Sequence, residues 1–351
     1  MKRVYLDHNA TTPLRVEARD AMVAAMDVFG NPSSVHGEGR AAKSLVERAR
    51  AQVAAAFGAD GADVVFVSSA TEAAALACAG RGLMGAEVEH DAVASWIDPV
   101  LPVDAAGRVS VAEPERSVLQ LANSETGVVQ DLPQGLAVVD ATQAFGKLPV
   151  AFNWMGCQMA LVSAHKLGGP KGIGALVMKR GTDLAAQLKG GGQEMGRRAG
   201  TENVIGIAGF GAAAEAAARE LDEGRWAEVE KIRNILEFSI AAAAKETIFV
   251  GKDALNALAR LPNTSCFATP GWKGETQVMQ MDLAGFAVSA GSACSSGKVR
   301  ASRVLRAMGY GDEVASSAIR VSLGLDTTEE DVSRFVEAWL KTYERFRARA
   351  G

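Results

Sequence analysis

One stretch, residues 157–176 (CQMALVSAHKLGGPKGIGAL), constrains the fold of this chain more than any other. Its apolar run at residues 159–162 predicts a buried β-strand. The four glycines and one proline between residues 168 and 174 then interrupt regular structure, before residues 175–178 begin a second apolar strand. The stretch therefore predicts two buried strands joined by a glycine-rich loop.

Lys166 lies between the first strand and that loop. A lysine at the end of a buried strand can face a cavity, lose its proton and act as an amine nucleophile. The alternative is a surface lysine that happens to follow a strand.

The position of Asp140 favours the interpretation that Lys166 faces a cavity. It follows the apolar run at residues 136–139, and an acid and a lysine at the ends of two strands meet at one edge of a parallel sheet, where ligands bind. Pyridoxal phosphate needs this pair, with a lysine for its aldehyde and a carboxylate for its ring nitrogen.

Five motifs extend this pattern over nearly the whole chain: YLDHNATTP at 5–13, DATQ at 140–143, SAHK at 163–166, GPKGIGAL at 169–176 and AIRVSLG at 318–324. With these motifs the chain resembles the cysteine desulfurases of the NifS/IscS type. They belong to the class V aminotransferase group of the fold-type I pyridoxal phosphate enzymes.

The resemblance implies an α/β protein with the fold-type I transferase architecture. A large cofactor-binding α/β domain with a mixed or parallel sheet is expected over residues 14–221. A small α+β domain is expected to combine residues 1–13 with 222–351 and to carry the Cys294 loop. A homodimer is also expected.

Composition agrees with an ordinary soluble protein. The chain has 351 residues, of which 48% are hydrophobic and 22% charged, and its net charge is −4. The chain has no excess of basic residues that would indicate nucleic-acid binding. It also has no apolar run of about eighteen residues and no apolar leader that would indicate a membrane segment. The four cysteines show no CxxC pair, so we expect neither a disulfide framework nor a zinc site, and we expect a cytoplasmic location.

Residues 68–72 (SSATE) predict the start of a helix. Ser69 and Glu72 have the spacing of a capping box, which is a sufficient structural explanation by itself. The N–H groups of a helix start and the Thr71 hydroxyl could also hold a phosphate. The resemblance places the cofactor phosphate here, at Ala70 and Thr71.

The resemblance assigns further cofactor contacts. His90 would stack on the pyridine ring and assist proton transfer. Ser124 stands where the family has an asparagine that contacts the cofactor hydroxyl, so this contact would depend on the serine hydroxyl. The remaining predicted cofactor-binding residues are Asp140, Gln143, Ser163, His165, Lys166 and Thr201.

Residues 190–201 form a glycine-rich segment that contains Arg197 and Arg198. Backbone N–H groups and the two arginines could bind an anion there, and a flexible linker is the alternative. In the family this segment crosses a dimer interface, so Thr201 is expected to contact the partner's phosphate.

Substrate contacts are expected at Asn9 and Arg320. An arginine between Ile319 and Val321 needs an anion if it is buried, and a substrate α-carboxylate fits its planar fork. Cys294, among serine, glycine and alanine residues, predicts a reactive loop cysteine. In the family the equivalent cysteine takes the sulfur.

The implied activity is an L-cysteine desulfurase that produces L-alanine and a persulfide on Cys294. The sulfur would pass to an acceptor protein of unknown identity, for iron–sulfur cluster or thio-cofactor biosynthesis. No resident metal is expected, at most a transient iron–sulfur contact through Cys294. The alternatives are a selenocysteine lyase or another β-eliminating pyridoxal phosphate enzyme, and a catalytically reduced sulfur-transfer adaptor.

Two segments, 95–115 and 128–136, are shorter than the family pattern. The second leaves about a dozen residues between two predicted parallel strands, where the family has a helix. We interpret both as trimmed surface elements.

Overall fold

The computed structural model describes residues 3–252, 260–291 and 301–350. In these residues the strands are β1 (Val4–Tyr5), β2 (Asp63–Val67), β3 (Leu83–Met84), β4 (Ile97–Asp98), β5 (Val118–Gln120), β6 (Val138–Asp140), β7 (Met159–Ser163), β8 (Gly174–Met178), β9 (Ile248–Phe249), β10 (Thr264–Ala268), β11 (Phe286–Ala287), β12 (Ser289–Ala290) and β13 (Ala318–Ser322). The helices are α1 (Val16–Met26), α2 (Gly37–Ala56), α3 (Ala70–Cys78), α4 (Asp91–Ala94), α5 (Val204–Asp222), α6 (Arg225–Ala243), α7 (Gly274–Leu283), α8 (Arg303–Ala307), α9 (Asp312–Ser317) and α10 (Glu329–Ala350).

A five-stranded mixed sheet forms the centre of the first half of the chain, in the order β2-β8-β7-β6-β5. β5, β6 and β7 are parallel, whereas β8 runs antiparallel to both of its neighbours, β2 and β7. The predicted α/β class with a mixed or parallel sheet is confirmed. The parallel strands bring the carboxyl ends of β5, β6 and β7 to one edge, which the site uses.

Alternate side chains of this sheet pack against different helices. Leu161 and Leu176 lie in one core with the apolar side of α3. Val162 and Val177 lie in a second core with Phe210 of α5. Because successive strand residues face opposite sides, a continuous apolar run such as β7 signals a strand covered on both faces.

A third core lies around an antiparallel sheet of order β12-β13-β10-β9. Trp339 of α10 contacts Phe267 and Trp272 there, and Leu6, just after β1, packs into the same cluster. β1 reaches this part of the molecule by pairing in parallel with β11. The division at residues 13/14 and 221/222 stays a prediction.

α10 begins at the predicted cap. Thr328 Oγ1 accepts a hydrogen bond from Asp331 N at 3.1 Å, and Asp331 Oδ2 accepts one from Thr328 N at 3.1 Å. This reciprocal arrangement satisfies N–H groups at the helix start.

The connection from β5 to β6 contains no helix, since residues 121–137, all of them described, form turns and short bridges. These residues therefore hold no crossover helix, and the interpretation that the crossover was trimmed stays a prediction. Residues 95–115 likewise hold only β4, a Val103–Val109 bridge and the start of a 3-10 turn at Pro114–Arg116. Within the described ranges, no helix has the length and apolarity needed to cross a bilayer.

Candidate active site

A cavity of about 360 Å³ opens at the carboxyl edge of the central sheet. It brings together most of the predicted site residues: Asn9, Ala70, Thr71, His90, Ser124, Asp140, Gln143, Ser163, His165, Lys166 and Arg320. These residues come from both sheets and from the N-terminal segment. The cavity therefore lies between the central sheet and the antiparallel sheet.

Lys166 and Asp140 are delivered by neighbouring parallel strands. Lys166 ends a single 3-10 turn, Ala164–Lys166, directly after β7, and Asp140 is the last residue of β6. The Lys166 amine donates to the carbonyls of Asn9 at 2.7 Å and Ala10 at 2.8 Å. Asp140 Oδ1 accepts a hydrogen bond from Thr142 N at 2.9 Å. Both side chains line the cavity, as the strand-end pattern predicted.

Positive charge predominates around Lys166. Burial lowers the pKa of His165 to about 4, and the charges of Lys166, Lys171 and Lys147 contribute to that lowering. His165 is therefore neutral at pH 7, with its Nδ1 3.1 Å from Thr11 Oγ1. An anionic ligand would relieve this concentration of positive charge.

The start of α3 forms the opposite end of the cavity, at Ser69, Ala70 and Thr71. Ser69 Oγ accepts a hydrogen bond from Glu72 N at 3.5 Å. The Glu72 carboxylate accepts from Ser68 N at 2.8 Å, so the predicted capping box forms with its return bond displaced by one residue. Helix N–H groups and the Thr71 hydroxyl here suit a phosphate.

His90 precedes α4 and caps it. Its Nδ1 accepts a hydrogen bond from Ala92 N at 3.1 Å, so the proton of the neutral ring lies on Nε2. The adjacent Glu89 is buried, and its Oε1 accepts from Gln120 N at 2.9 Å. Burial raises the pKa of Glu89 to about 8, and the nearby Asp140 adds to the rise.

Arg320 lies on β13 and is 4% exposed. Its guanidinium donates to Asp7 Oδ1 at 2.7 Å and to the Ser124 carbonyl at 3.0 Å. The predicted need for an anion is thus met within the chain by Asp7. Sequence reasoning missed Asp7 because nothing in the YLDHN turn indicates a partner on a strand 313 residues away.

Three buried polar atoms of the cavity wall have no hydrogen-bond partner among the described residues: Thr142 Oγ1, Ser163 Oγ and Arg320 Nε. Such atoms are rare in a native protein unless a ligand or water completes them. Together with Asp140, Lys166 and the start of α3, they fit pyridoxal phosphate and an amino-acid carboxylate. The hydrogen-bonding and charged groups that line the site therefore match those that pyridoxal phosphate requires.

Among the predicted site residues that the structure describes, Thr201 is the one outside the cavity. Thr201 is exposed and lines a separate depression with Arg198 and Ser68. Cys294 falls in residues 292–300, outside the described part of the chain.

Arg197 and Arg198 each have a carboxylate partner within the chain, and their expected role in an anion site stays a prediction. Arg197 pairs with Asp63 at 2.8 Å, and Arg198 pairs with Glu72 at 2.8 Å. Both guanidinium groups already have carboxylate partners in their own chain, so they bind this segment to β2 and to α3.

Lys147 was also missed. It is 2% exposed, and its amine donates to Gln143 Oε1 at 2.8 Å and to Asn9 Oδ1 at 3.2 Å. The sequence feature that could have indicated Lys147 is the apolar segment around it, AFGKLPV at residues 144–150, since a lysine buried among such residues needs a polar partner.

Comparisons with known proteins agree with this site. The family model for aminotransferase class-V matches residues 4–94 and 113–335, so its gap falls on the trimmed segment. Cysteine desulfurase IscS of Dictyoglomus turgidum is 35% identical over 99% of this chain and 96% of its own. A cysteine desulfurase of Cereibacter sphaeroides is 38% identical over 99% of this chain and 97% of its own.

Solved structures show the same fold. A NifS-like protein from Rickettsia africae superimposes with a TM-score of 0.87 at 31% identity, covering 97% of this chain and 99% of that one. The resemblance found in the motifs is confirmed over the full length of the relatives. The chain belongs to the aminotransferase class-V family, among the relatives of the cysteine desulfurases.

Proposed function

We propose that this protein is a pyridoxal phosphate-dependent L-cysteine desulfurase. It removes sulfur from L-cysteine, releases L-alanine and holds the sulfur as a persulfide on Cys294. One observation carries the proposal: Lys166, Asp140 and Arg320 line a single cavity in a chain that matches cysteine desulfurases from end to end.

Different residues of the cavity would contact different parts of the cofactor. The Lys166 amine would bind the cofactor aldehyde, and the Asp140 carboxylate would keep the ring nitrogen protonated. Ala70, Thr71 and Ser163 would hold the phosphate, and Gln143 and His165 would hold the ring in place. When bound, pyridoxal phosphate supplies an electron sink for negative charge at the substrate Cα.

Two further cofactor contacts belong to the proposal. Ser124 offers a hydroxyl at the position of the family's asparagine, and Thr201 reaches the phosphate of the partner subunit in a homodimer. Support for the Thr201 contact is its exposed position in the single chain, outside the chain's own cavity.

Arg320 and Asn9 orient the substrate. The Arg320 Nε, which lacks an acceptor among the described residues, can donate to the substrate carboxylate. His90, through Nε2, and the Lys166 amine hold and move the proton at the substrate Cα.

Cys294 then performs the sulfur transfer. Its thiolate attacks the substrate sulfur, so that an S–S bond forms and the Cβ–S bond breaks. The electron pair of the broken bond stays on the carbon side, which is protonated to give alanine. An acceptor protein takes the sulfur from Cys294 in a cytoplasmic pathway of iron–sulfur or thio-cofactor assembly.

The test is turnover by the purified protein loaded with pyridoxal phosphate. With L-cysteine and a thiol reductant we expect equal amounts of alanine and sulfide. Lys166→Ala should abolish both, together with the visible absorption of the bound cofactor. Lys179→Ala, a change at an exposed lysine just after β8, serves as the matched control and should keep both.

The same assay separates the alternatives. Alanine from L-selenocysteine but not from L-cysteine would establish a selenocysteine lyase. Cofactor binding with no turnover of either substrate would point to a sulfur-transfer adaptor.

A further inference from the structure

Lys147 is a buried lysine that the mechanism above does not use. It lies in the turn region after β6, where Gln143 Oε1 accepts from its amine at 2.8 Å and Asn9 Oδ1 at 3.2 Å. Lys147 does not line the cavity, whereas Gln143 and Asn9 both do. Its hydrogen bonds therefore reach the site through these two side chains, and its charge also contributes to the lowered pKa of His165.

The Asn9 side chain has a single orientation in this network. Besides Lys147, Asn263 Nδ2 donates to Asn9 Oδ1 at 3.1 Å. Asn9 Nδ2 donates to Thr264 Oγ1 at 2.8 Å and to the Ser124 carbonyl at 3.2 Å. A reversed amide would set donors against Lys147 and Asn263, so these contacts fix the amide.

The main-chain carbonyl of the same residue holds the Lys166 amine. It accepts from Lys166 Nζ at 2.7 Å and from Gln143 Nε2 at 2.9 Å. Lys147 thus donates hydrogen bonds to the side-chain oxygens of both Asn9, which carries this carbonyl, and Gln143, which donates to it. The chain of contacts from Lys147 to Lys166 contains only one intervening residue, Asn9.

Keeping a lysine at this position is energetically unfavourable in itself. Burial lowers the pKa of Lys147 well below its usual value, and the charges of Lys166 and Arg320 lower it further. A methionine would fill a similar volume without desolvating an amine. A methionine could not make the two hydrogen bonds that the Lys147 amine donates.

We propose that Lys147 is a positioning residue for Lys166, which acts by fixing Asn9 and Gln143 so that the Asn9 carbonyl presents the Lys166 amine to the cofactor aldehyde. The inference rests on the proposed function in one respect, that Lys166 takes the cofactor. It adds a residue whose role is to control how fast and how completely Lys166 reacts.

The test compares Lys147→Met, which keeps length but loses the donor, with Lys147→Gln, which keeps an N–H donor. Lys179→Met is the exposed control. The measurement is the rate at which the cofactor-free protein gains the visible absorption of bound pyridoxal phosphate, with borohydride trapping to locate it at Lys166. We expect the methionine variant to be at least tenfold slower, the glutamine variant within about threefold of wild type, and the control unchanged.

A methionine variant within twofold of wild type would overturn the positioning role. So would equal slowing by methionine and glutamine, because packing and not hydrogen bonding would then be responsible. If neither variant folds, the rate of cofactor uptake is measured in Asn263→Ala, which removes the other donor to Asn9 Oδ1. Slowing of threefold or more supports the proposal, and an unchanged rate rejects it.

Wild-type behaviour separates this proposal from the proposed function. A wild-type protein that gains no trapped cofactor at Lys166 would refute the function. Normal wild-type uptake combined with an unaffected methionine variant would refute only the role of Lys147.

Discussion

Arg320 and Asp7 form a buried ion pair at the wall of the cavity, with the guanidinium donating to the carboxylate at 2.7 Å. The pair joins β13 to the N-terminal segment, which also bridges to β13 at Asp7 and Ser322. The substrate carboxylate is expected to approach the same guanidinium. Asp7 therefore neutralises Arg320 before substrate binds, and it competes with the substrate for that charge.

Asp7→Asn should lower stability and tighten substrate binding at the same time. Removal of the Asp7 charge leaves the buried Arg320 guanidinium without its charged partner, at a cost of roughly 1–3 kcal/mol in the free energy of unfolding. The freed guanidinium should then lower KM for L-cysteine by roughly threefold to tenfold. Denaturant melts and steady-state kinetics measure the two effects.

Asp282→Asn is the control for that change. Asp282 pairs with Arg3 at the surface, where both side chains are more than half exposed, so little change is expected. A higher KM in the Asp7 variant would show that Asp7 helps to hold Arg320 for the substrate, and would contradict the competition.

Glu89 should make the protein less stable as pH rises. Its pKa is raised to about 8 in the folded protein, above its ordinary value of 4.5 when unfolded. Between these values the folded state binds more protons, so the free energy of unfolding falls with increasing pH. The stabilisation is fully present below pH 4.5 and lost as pH passes 8.

Glu89→Gln should flatten this dependence. We expect the wild type to lose roughly 1–3 kcal/mol more than the variant between pH 5.5 and 8. Urea unfolding across this range measures the difference, with the exposed Glu87→Gln as control. Parallel pH profiles for wild type and Glu89→Gln would show that Glu89 is ionised throughout.

The sequence predicted the chemistry that depends on local pattern. Lys166 and Asp140 each end an apolar run, so their convergence follows from the geometry of parallel strands alone. Thr71 and Ser69 were found by the signature of a helix start. These features require only the residues on either side of them.

The features that were missed depend on contacts between distant residues. Asp7 acts on Arg320 across 313 positions, and Lys147 acts on Asn9 across 138. For the same reason the ion pairs of Arg197 with Asp63 and of Arg198 with Glu72 were not predicted.

We predict a homodimer in which Thr201 completes the cofactor site of the partner. Light scattering at micromolar concentration should give twice the mass of the chain. Thr201→Val should weaken pyridoxal phosphate binding roughly tenfold, the loss of one hydrogen bond to a charged group, while the dimer persists. A monomer with full cofactor occupancy would be incompatible with this arrangement.

The most direct test of the central claim is the fate of sulfur in Cys294→Ser. A hydroxyl is far less nucleophilic than a thiolate at neutral pH, so binding and proton transfer should survive while sulfur transfer stops. After addition of L-cysteine, mass spectrometry of the wild type should find one extra sulfur on the peptide that contains Cys294. The variant should change its visible spectrum with cysteine, yet carry no extra sulfur and release almost no alanine. Alanine release by the variant at near wild-type rate would show that Cys294 is not the sulfur acceptor.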